Sequence, residues 1–267
     1  MCDSSHTHLM DRRAFLAVLV GAGGAVLTAC VETGETGFGV NLVSPAEVNQ
    51  LGLESWERIL AETPPSGNAT YQRAASQVAG RILAASGQDP RAWEVRVFQG
   101  GDANAFALPG MKIGVYEGMF RVAENPDQFA AVIGHEIGHV QNNHAAERVN
   151  SEVATQLGMQ LVSAALQAGN IGYANQIAAA LGAGAQYGLI LPYSRNQELD
   201  ADRLGLLNMA RAGFDPRGAV NLWQNMRRAG GASPPSFLST HPGAEDRIAQ
   251  LQRLMPEALE VYRRAAS

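Results

Sequence analysis

Cysteine is almost absent: the chain of 267 residues has two, Cys2 and Cys30, both within its first 30 residues. No disulfide framework can staple the remainder, and no thiol is available there as nucleophile or metal ligand. A basic excess is missing too. The formal net charge is −5 and the pI is about 5.7, so a polyanion-binding face, and with it a nucleic-acid partner, is not expected. The 29 glycines are spread along the chain, and no internal period marks a solenoid or propeller. What is present is 46% hydrophobic and 17% charged, enough apolar material for a sizeable core.

The amino terminus has the layout of an address label. Arg12-Arg13 precedes an uncharged stretch, Ala14 to Ala29, that ends in small residues at Cys30. This predicts a secretory signal peptide over residues 1–29, since the stretch is shorter than the roughly 20 residues of a membrane span. Leu27-Thr28-Ala29-Cys30 resembles the bacterial lipobox, which implies a lipid anchor on Cys30, and Asp11 to Leu16 resembles a twin-arginine export motif. Residues 30–43, glycine-rich and poor in large apolar groups, read as the lipidated cysteine and a flexible tether. Ten such residues span roughly 15–20 Å as a coil.

From residue 44 to 267 the pattern predicts one mainly helical domain with a small β-sheet (α+β). Ser44-Pro45-Ala46-Glu47 has a capping serine, proline at the first helical position and an acid in the third, which predicts a helix to about Thr63. A second helix is expected from Thr70 to Ala85. Trp93 to Phe98 alternates like a strand, and Asn104–Leu108 with Lys112–Val115 flank Pro109-Gly110 as a hairpin. A long helix is expected from Asn125 to near Val149. Further helices are expected over Gln197–Ala212, Pro216–Ala229 and Ala244–Ala265. Residues 151–191, rich in alanine, leucine and glycine, read as two closely packed helices.

The chemistry is concentrated in His135-Glu136-Ile137-Gly138-His139. Four residues apart on a helix, His135 and His139 project from one face and can hold one zinc ion through ring nitrogens. Glu136 is placed to take a proton from the attacking water rather than to bind the ion. A catalytic zinc needs a third protein ligand. The metzincin pattern fails, because the positions where it wants glycine and histidine hold Asn142 and Ala145. His144, five residues past His139, falls roughly 140° around a continuous helix and reads as a polar residue near the helix end. Glu198, on a later helix, completes the site better, with Asp202 one turn on to accept the second ring proton of a ligand histidine. The competing reading of an acidic helix start, compensation of the helix dipole, is the ordinary one where no such histidine pair exists.

Ser194-Arg195-Asn196-Gln197-Glu198-Leu199-Asp200-Ala201-Asp202 resembles the third-ligand segment of the M48 family of zinc endopeptidases. Asn104 to Gly110 resembles that family's edge-strand motif, and Thr240-His241-Pro242 with Arg247-Ile248 its carboxy-terminal motif. The resemblance covers roughly Val43 to Arg253 and implies a gluzincin-like metallopeptidase domain. It implies one zinc per chain on His135, His139 and Glu198, with Glu136 as catalytic base and Asp202 behind a ligand. It implies either of two roles for His241: stabilising the oxyanion, or closing over the metal as an inhibitory fourth ligand. A third reading makes His241 a structural residue of a proline-containing turn. Arg195 is expected to pair with a buried carboxylate near the site. Asn104, Ala105, Phe106, Ala107 and Leu108 are expected to bind extended polypeptide substrates as an added strand. Within the family, the chain looks like the lipid-anchored periplasmic group of outer-membrane quality control. This implies the periplasmic side of a bacterial envelope, more at the outer than the inner membrane, and the outer-membrane assembly machinery as partner. A latched or non-proteolytic chaperone is the rival from another class.

Overall fold

The computed structural model describes residues 43–152, 192–229 and 235–265. The expected signal peptide, the lipid-anchored Cys30, the tether up to residue 42 and all but the first two residues of the 151–191 segment lie outside them.

Helix α1 (Pro45–Glu62) starts on a full capping box between Ser44 and Glu47, and α2 (Ala69–Ala85) on the Asn68 side chain. A 3₁₀ turn (Pro90–Ala92) leads into β1 (Glu94–Phe98), followed by β2 (Ala105–Leu108), β3 (Lys112–Tyr116) and the short α3 (Met119–Val122). The later helices are α4 (Pro126–Gln141), α5 (Arg195–Arg211), α6 (Arg217–Ala229), α7 (Ser236–Thr240) and α8 (Ala244–Ala265). The fold is mainly helical with one small sheet, the class that the sequence predicts.

The sheet runs in the order β1-β3-β2, with β1 parallel and β2 antiparallel to β3. Its two edges differ. On the β1 side the strand is already paired: Ser66 N donates to Val97 O at 2.8 Å, and Gln99 N donates to Pro64 O at 2.9 Å. The Gln72 amide also closes on Val97, donating to its carbonyl at 2.8 Å and accepting from its N–H at 3.0 Å. No such backbone pairing lies along the outer side of β2 among the described residues, although Ala105 and Ala107 are buried there, 1% and 7% exposed. Phe106 fits flat there because Gly114 opposes it; a Cβ on Gly114 would fall 2.2 Å from the Phe106 ring.

Helix α4 is the central strut. Asn125 caps it, Pro126 is its first residue and Asp127 adds an acid to its first turn. Every residue from Gln128 to His139 is buried, as expected of a helix enclosed on all sides. It packs on α5, α6, α2 and β2. Against α5 the approach is backbone to backbone. A Cβ on Gly205 would lie 2.7 Å from both Gly134 C and His135 N, and one on Gly138 would lie 2.8 Å from Ala201 O. Small residues on both helices therefore set their separation.

The expected extension of α4 to near Val149 is corrected. The helix ends at Gln141, Asn143 turns through a positive φ of 54°, and helical structure resumes at residue 144. Asparagine tolerates this left-handed conformation, so the turn gives the helix its C-terminal stop.

Candidate metal centre

His135 and His139 reach the same side of α4, and the contact between Gly134, Gly138, Gly205 and Ala201 brings the first turn of α5 against them. Glu198 enters there. Ser194 caps α5 in a second capping box with Gln197, which fixes the start of that turn. From the other side, His241 stands at the end of α7. Ligand atoms of His135, His139, Glu198 and His241 all lie within 4.8 Å of one another, and all four residues are buried.

The contacts inside the cluster are short. His135 Nε2 lies 2.9 Å from His139 Nε2 and 3.1 Å from His241 Nδ1. Glu198 Oε1 is 3.0 Å from His241 Nδ1 and 3.5 Å from His139 Nε2, and Oε2 is 3.4 Å from His135 Nε2. Glu136, 1% exposed, turns Oε1 toward His241 Nε2 at 3.4 Å. Phe237 stacks on the His241 ring with centroids 4.3 Å apart.

Arg247 is the counter-charge. Its Nε donates to Asp202 Oδ2 at 2.6 Å and its Nη2 to Asp202 Oδ1 at 2.5 Å. Its Nη1 also stands against Glu198 Oε2. Asp202 Oδ1 in turn lies 3.0 Å from His135 Nδ1, on the side of that ring away from the cluster. The guanidinium is 1% exposed and rests on the Trp223 ring at 3.9 Å.

The electrostatics follow from burial and these partners. Burial would raise the Glu198 carboxyl, but Arg247 and the imidazoles outweigh it and hold the group well below the usual carboxylate range. Asp202 is lowered in the same way, against burial, by Arg247 and His135. Burial and Arg247 oppose a proton on His135, yet its bonds to Asp202 and Glu198 prevail and push it up to about 9. His139 is held well below its ordinary value by burial and by the neighbouring His135. Burial also pushes Tyr193 up to about 12.

These residues fit a divalent cation. Three buried carboxylates (Glu136, Glu198, Asp202) face one buried guanidinium, Arg247. Even with His135 protonated the buried carboxyl groups outnumber the buried cations, and burying such charge unpaired is costly. Glu136 Oε1 and Glu198 Oε2 have no aligned hydrogen-bond donor; the Arg247 contact to Glu198 is close but not directed along a bond. Two imidazoles and a carboxylate, with the other ring nitrogen of His135 tied to an acid, are the donor set of a catalytic zinc.

Arg195 stands elsewhere. It pairs with Asp246 at 2.8 Å on the surface, 67% and 49% exposed, not with a buried carboxylate. As the first residue of α5 it lies one turn outside the cluster, and Arg247 already fills the place beside the acids. His144 is corrected in the opposite sense. The turn at Asn142-Asn143 brings it back, buried, to 2.9 Å from His139 Nδ1. Three residues at the site had no role in the sequence reading: Arg247, His144, and Tyr193, which stacks on His139 with centroids 3.8 Å apart. Of these, Arg247 was marked by its place in the carboxy-terminal motif, without a role, and His144 by the Asn-Asn pair before it.

The outer side of β2, unpaired among the described residues, leads toward the cluster. Asn104 O accepts from Tyr116 N at 2.9 Å. By the alternation of an antiparallel ladder, Ala105 and Ala107 therefore turn their own N–H and C=O outward. A cleft lined by Val48, Ala107, Pro109, Val140 and Tyr193 runs from there to His139.

Residues 65–255 match the pattern of Peptidase family M48. The chain is 37% identical over 185 residues to the mitochondrial metalloendopeptidase OMA1 of Schizosaccharomyces pombe, covering 68% of this chain and 52% of that protein. It is 32% identical over 155 residues to the beta-barrel assembly-enhancing protease of Yersinia pestis, covering 54% of this chain and 31% of that protein. To the putative beta-barrel assembly-enhancing protease of Vibrio cholerae it is 30% identical over 207 residues, covering 73% and 41%. The chain spans about half the length of these curated relatives, or less.

Proposed function

The chain carries the metallopeptidase domain of Peptidase family M48 and belongs to that family, and on that premise we propose that it is a zinc endopeptidase cleaving unfolded or misassembled proteins in a bacterial cell envelope. The observation that carries this reading is the buried cluster of His135, His139 and Glu198 with Glu136 beside it.

His135, His139 and Glu198 would hold the zinc, which when bound would supply Lewis acidity to the scissile carbonyl and to the attacking water. The protein's own residues do the rest. Glu136 takes a proton from the water and passes it to the leaving amine. Asp202, held by Arg247, accepts the Nδ1 proton of His135 and keeps its Nε2 lone pair for the metal. In this reading the outward N–H and C=O groups of Ala105 and Ala107, buried in this structure, are uncovered to bind the substrate backbone as an added strand, with Asn104, Phe106 and Leu108 paired to β3 behind them. Main-chain bonds of this kind ask for extended polypeptide and little else, which suits unfolded segments as substrates.

His241 reads best as a latch. Its Nδ1 lies within the ligand cluster, where a fourth ligand would close the position that a catalytic zinc keeps open. Turnover then requires the ring to withdraw, and the Pro242-Gly243 turn, with Gly243 at φ 84°, is the adjacent place for that movement. A resting enzyme of this kind also accommodates a non-proteolytic, chaperone-like role.

The envelope reading rests on the signal-like residues 1–29, the lipobox-like Cys30 and the names of the bacterial relatives. The lipid anchor at Cys30 and a link to outer-membrane assembly belong to the same proposal.

The test is cleavage of casein by the purified full chain, wild type beside Glu136→Gln, with zinc quantified in both. Zinc near one per chain with cleavage by the wild type alone supports the enzyme and its base. Absence of zinc from both proteins would overturn the reading. Equal cleavage by the two would remove Glu136 from its role.

A further inference from the structure

The two histidines of the ligand pair are held from behind by different chemistry. His135 has a carboxylate and a guanidinium at Nδ1, Asp202 Oδ1 at 3.0 Å and Arg247 Nη2 at 2.9 Å. His139 has a second imidazole: its Nδ1 lies 2.9 Å from Nδ1 of His144, the rings crossing at 71° with centroids 5.0 Å apart. His144 is 3% exposed, although its residue type is more often found at the surface or at a site.

The backbone is shaped to bring it there. On a continuous helix His144 would point away from His139. Instead α4 stops at Gln141, and Asn143 takes a left-handed conformation that costs about 1 kcal/mol for a residue with a Cβ. After that turn the chain re-enters helix with His144 as its first residue. His144 also lines a polar recess with Asn142, Glu147, Asp200 and Arg203. Glu147 and Asp200 are the acids that share this recess with the ring, the remaining lining being Leu204 and Leu207. A polar recess of this kind suits the tautomer with hydrogen on Nε2 and a lone pair on Nδ1.

Resting on the zinc reading, we propose that His144 is a positioning residue: its Nδ1 accepts the Nδ1 proton of His139, which reserves Nε2 of His139 for the cation and sets the plane of the ring. Tyr193, stacked on the face of His139, limits tilting of that ring but offers it no acceptor in the plane. His144 supplies that in-plane partner. An outer partner of this kind is worth about ten- to a hundredfold in metal affinity.

The test compares three variants of the full chain by zinc competition against a chromophoric chelator at one fixed pH. In His144→Asn the side-chain oxygen stands near the place of Nδ1, whereas in His144→Gln it is displaced toward the place of Nε2. His144→Leu has no acceptor. The expected result is a zinc dissociation constant within about threefold of wild type for His144→Asn, and ten- to a hundredfold weaker for the other two. A second readout is the imidazole N–H of His139 in proteins labelled with ¹⁵N-histidine. It should exchange slowly in wild type and His144→Asn, and fast in His144→Gln.

Equal zinc affinity in all variants would overturn the proposal, as would a His144→Asn as weak as His144→Gln. If His144→Leu does not fold, as judged by thermal unfolding in chelator, the Asn–Gln pair carries the test. A wild type that binds no zinc brings down the zinc reading and this proposal together. A wild type that binds zinc with variants that bind equally well brings down the proposal alone.

Discussion

Arg247 and Asp202 face each other in a two-point ion pair, 2.6 Å and 2.5 Å long, with both side chains nearly excluded from solvent. Asp202 spends the same Oδ1 on His135 Nδ1 at 3.0 Å. One guanidinium from α8 thus meets a ligand ring on α4 both through an acid on α5 and directly, its Nη2 lying 2.9 Å from His135 Nδ1.

Removing that guanidinium is expected to be severe. Arg247→Met would leave Asp202 and Glu198 buried with no fixed cation, at a cost of about 3–5 kcal/mol. Arg247→Lys should not restore it, because one ammonium cannot make the forked contact. Urea unfolding in the presence of chelator measures the loss; a shift below 1 kcal/mol would show that the pair contributes little.

His241→Ala separates the two roles assigned to that ring. A latch that is closed most of the time, once removed, gives about a tenfold rise in casein cleavage at saturating zinc. Loss of an oxyanion donor would instead lower turnover by about 10²–10³. The direction of the change decides.

Gly205→Ala tests the contact between the two ligand-bearing helices. Its Cβ would lie 2.7 Å from backbone atoms of Gly134 and His135, and backbone cannot swing aside as a side chain can. Overpacking of this sort costs about 1–3 kcal/mol. Zinc affinity should fall along with stability, since the same displacement moves Glu198 away from the histidines. Unchanged zinc affinity would mean that the helices yield elsewhere.

The metal-free protein should be most stable near pH 6.5–7. His135, raised from 6.5 to about 9 against burial and Arg247 by its bonds to Asp202 and Glu198, stabilises the fold fully below pH 6.5. That contribution is lost as pH rises through 9. His139 and His144 are pushed down by burial. Below about pH 6.5 the unfolded chain takes up protons there that the folded chain refuses, so stability falls on the acid side as well. Melting temperatures in chelator from pH 5 to 9.5 check this, and a flat profile above pH 7 would contradict it.

Much of the architecture was legible from local rules. The cap at Ser44, the helix start at Asn125-Pro126, the alternation in Val95 to Phe98 and the turn at Pro109-Gly110 each mark an element that the structure contains, whereas the cap at Ser194, ahead of the expected helix start at Gln197, was not read. The pair His135 and His139 was legible because both lie on one helix, where spacing alone sets their geometry. Glu198 and Asp202 were picked out as an acidic pair one turn apart on a later helix and then supported by the family resemblance, since no local rule says which later helix meets α4. Arg195 was misjudged and Arg247 overlooked for one reason. Pairing between charges distant in sequence depends on how helices pack, and a motif's nearest arginine has no privilege there. His144 escaped because the helix was taken to continue. The pair Asn142-Asn143 was the available sign that it stops, asparagine being the residue other than glycine that most readily turns left-handed.

The absence of side chains where α4 meets α5 also bears on which ions the site accepts. Helices whose main chains touch have no rotamers to rearrange and cannot draw closer around a small ion. To admit a large one they must part along the whole shared face. Protein interiors resist such dilation, so the spacing between Glu198 and the histidine pair acts as a gauge cut to one ionic radius. Selectivity among divalent ions would then come as much from the stiffness of this seam as from the chemistry of the donors.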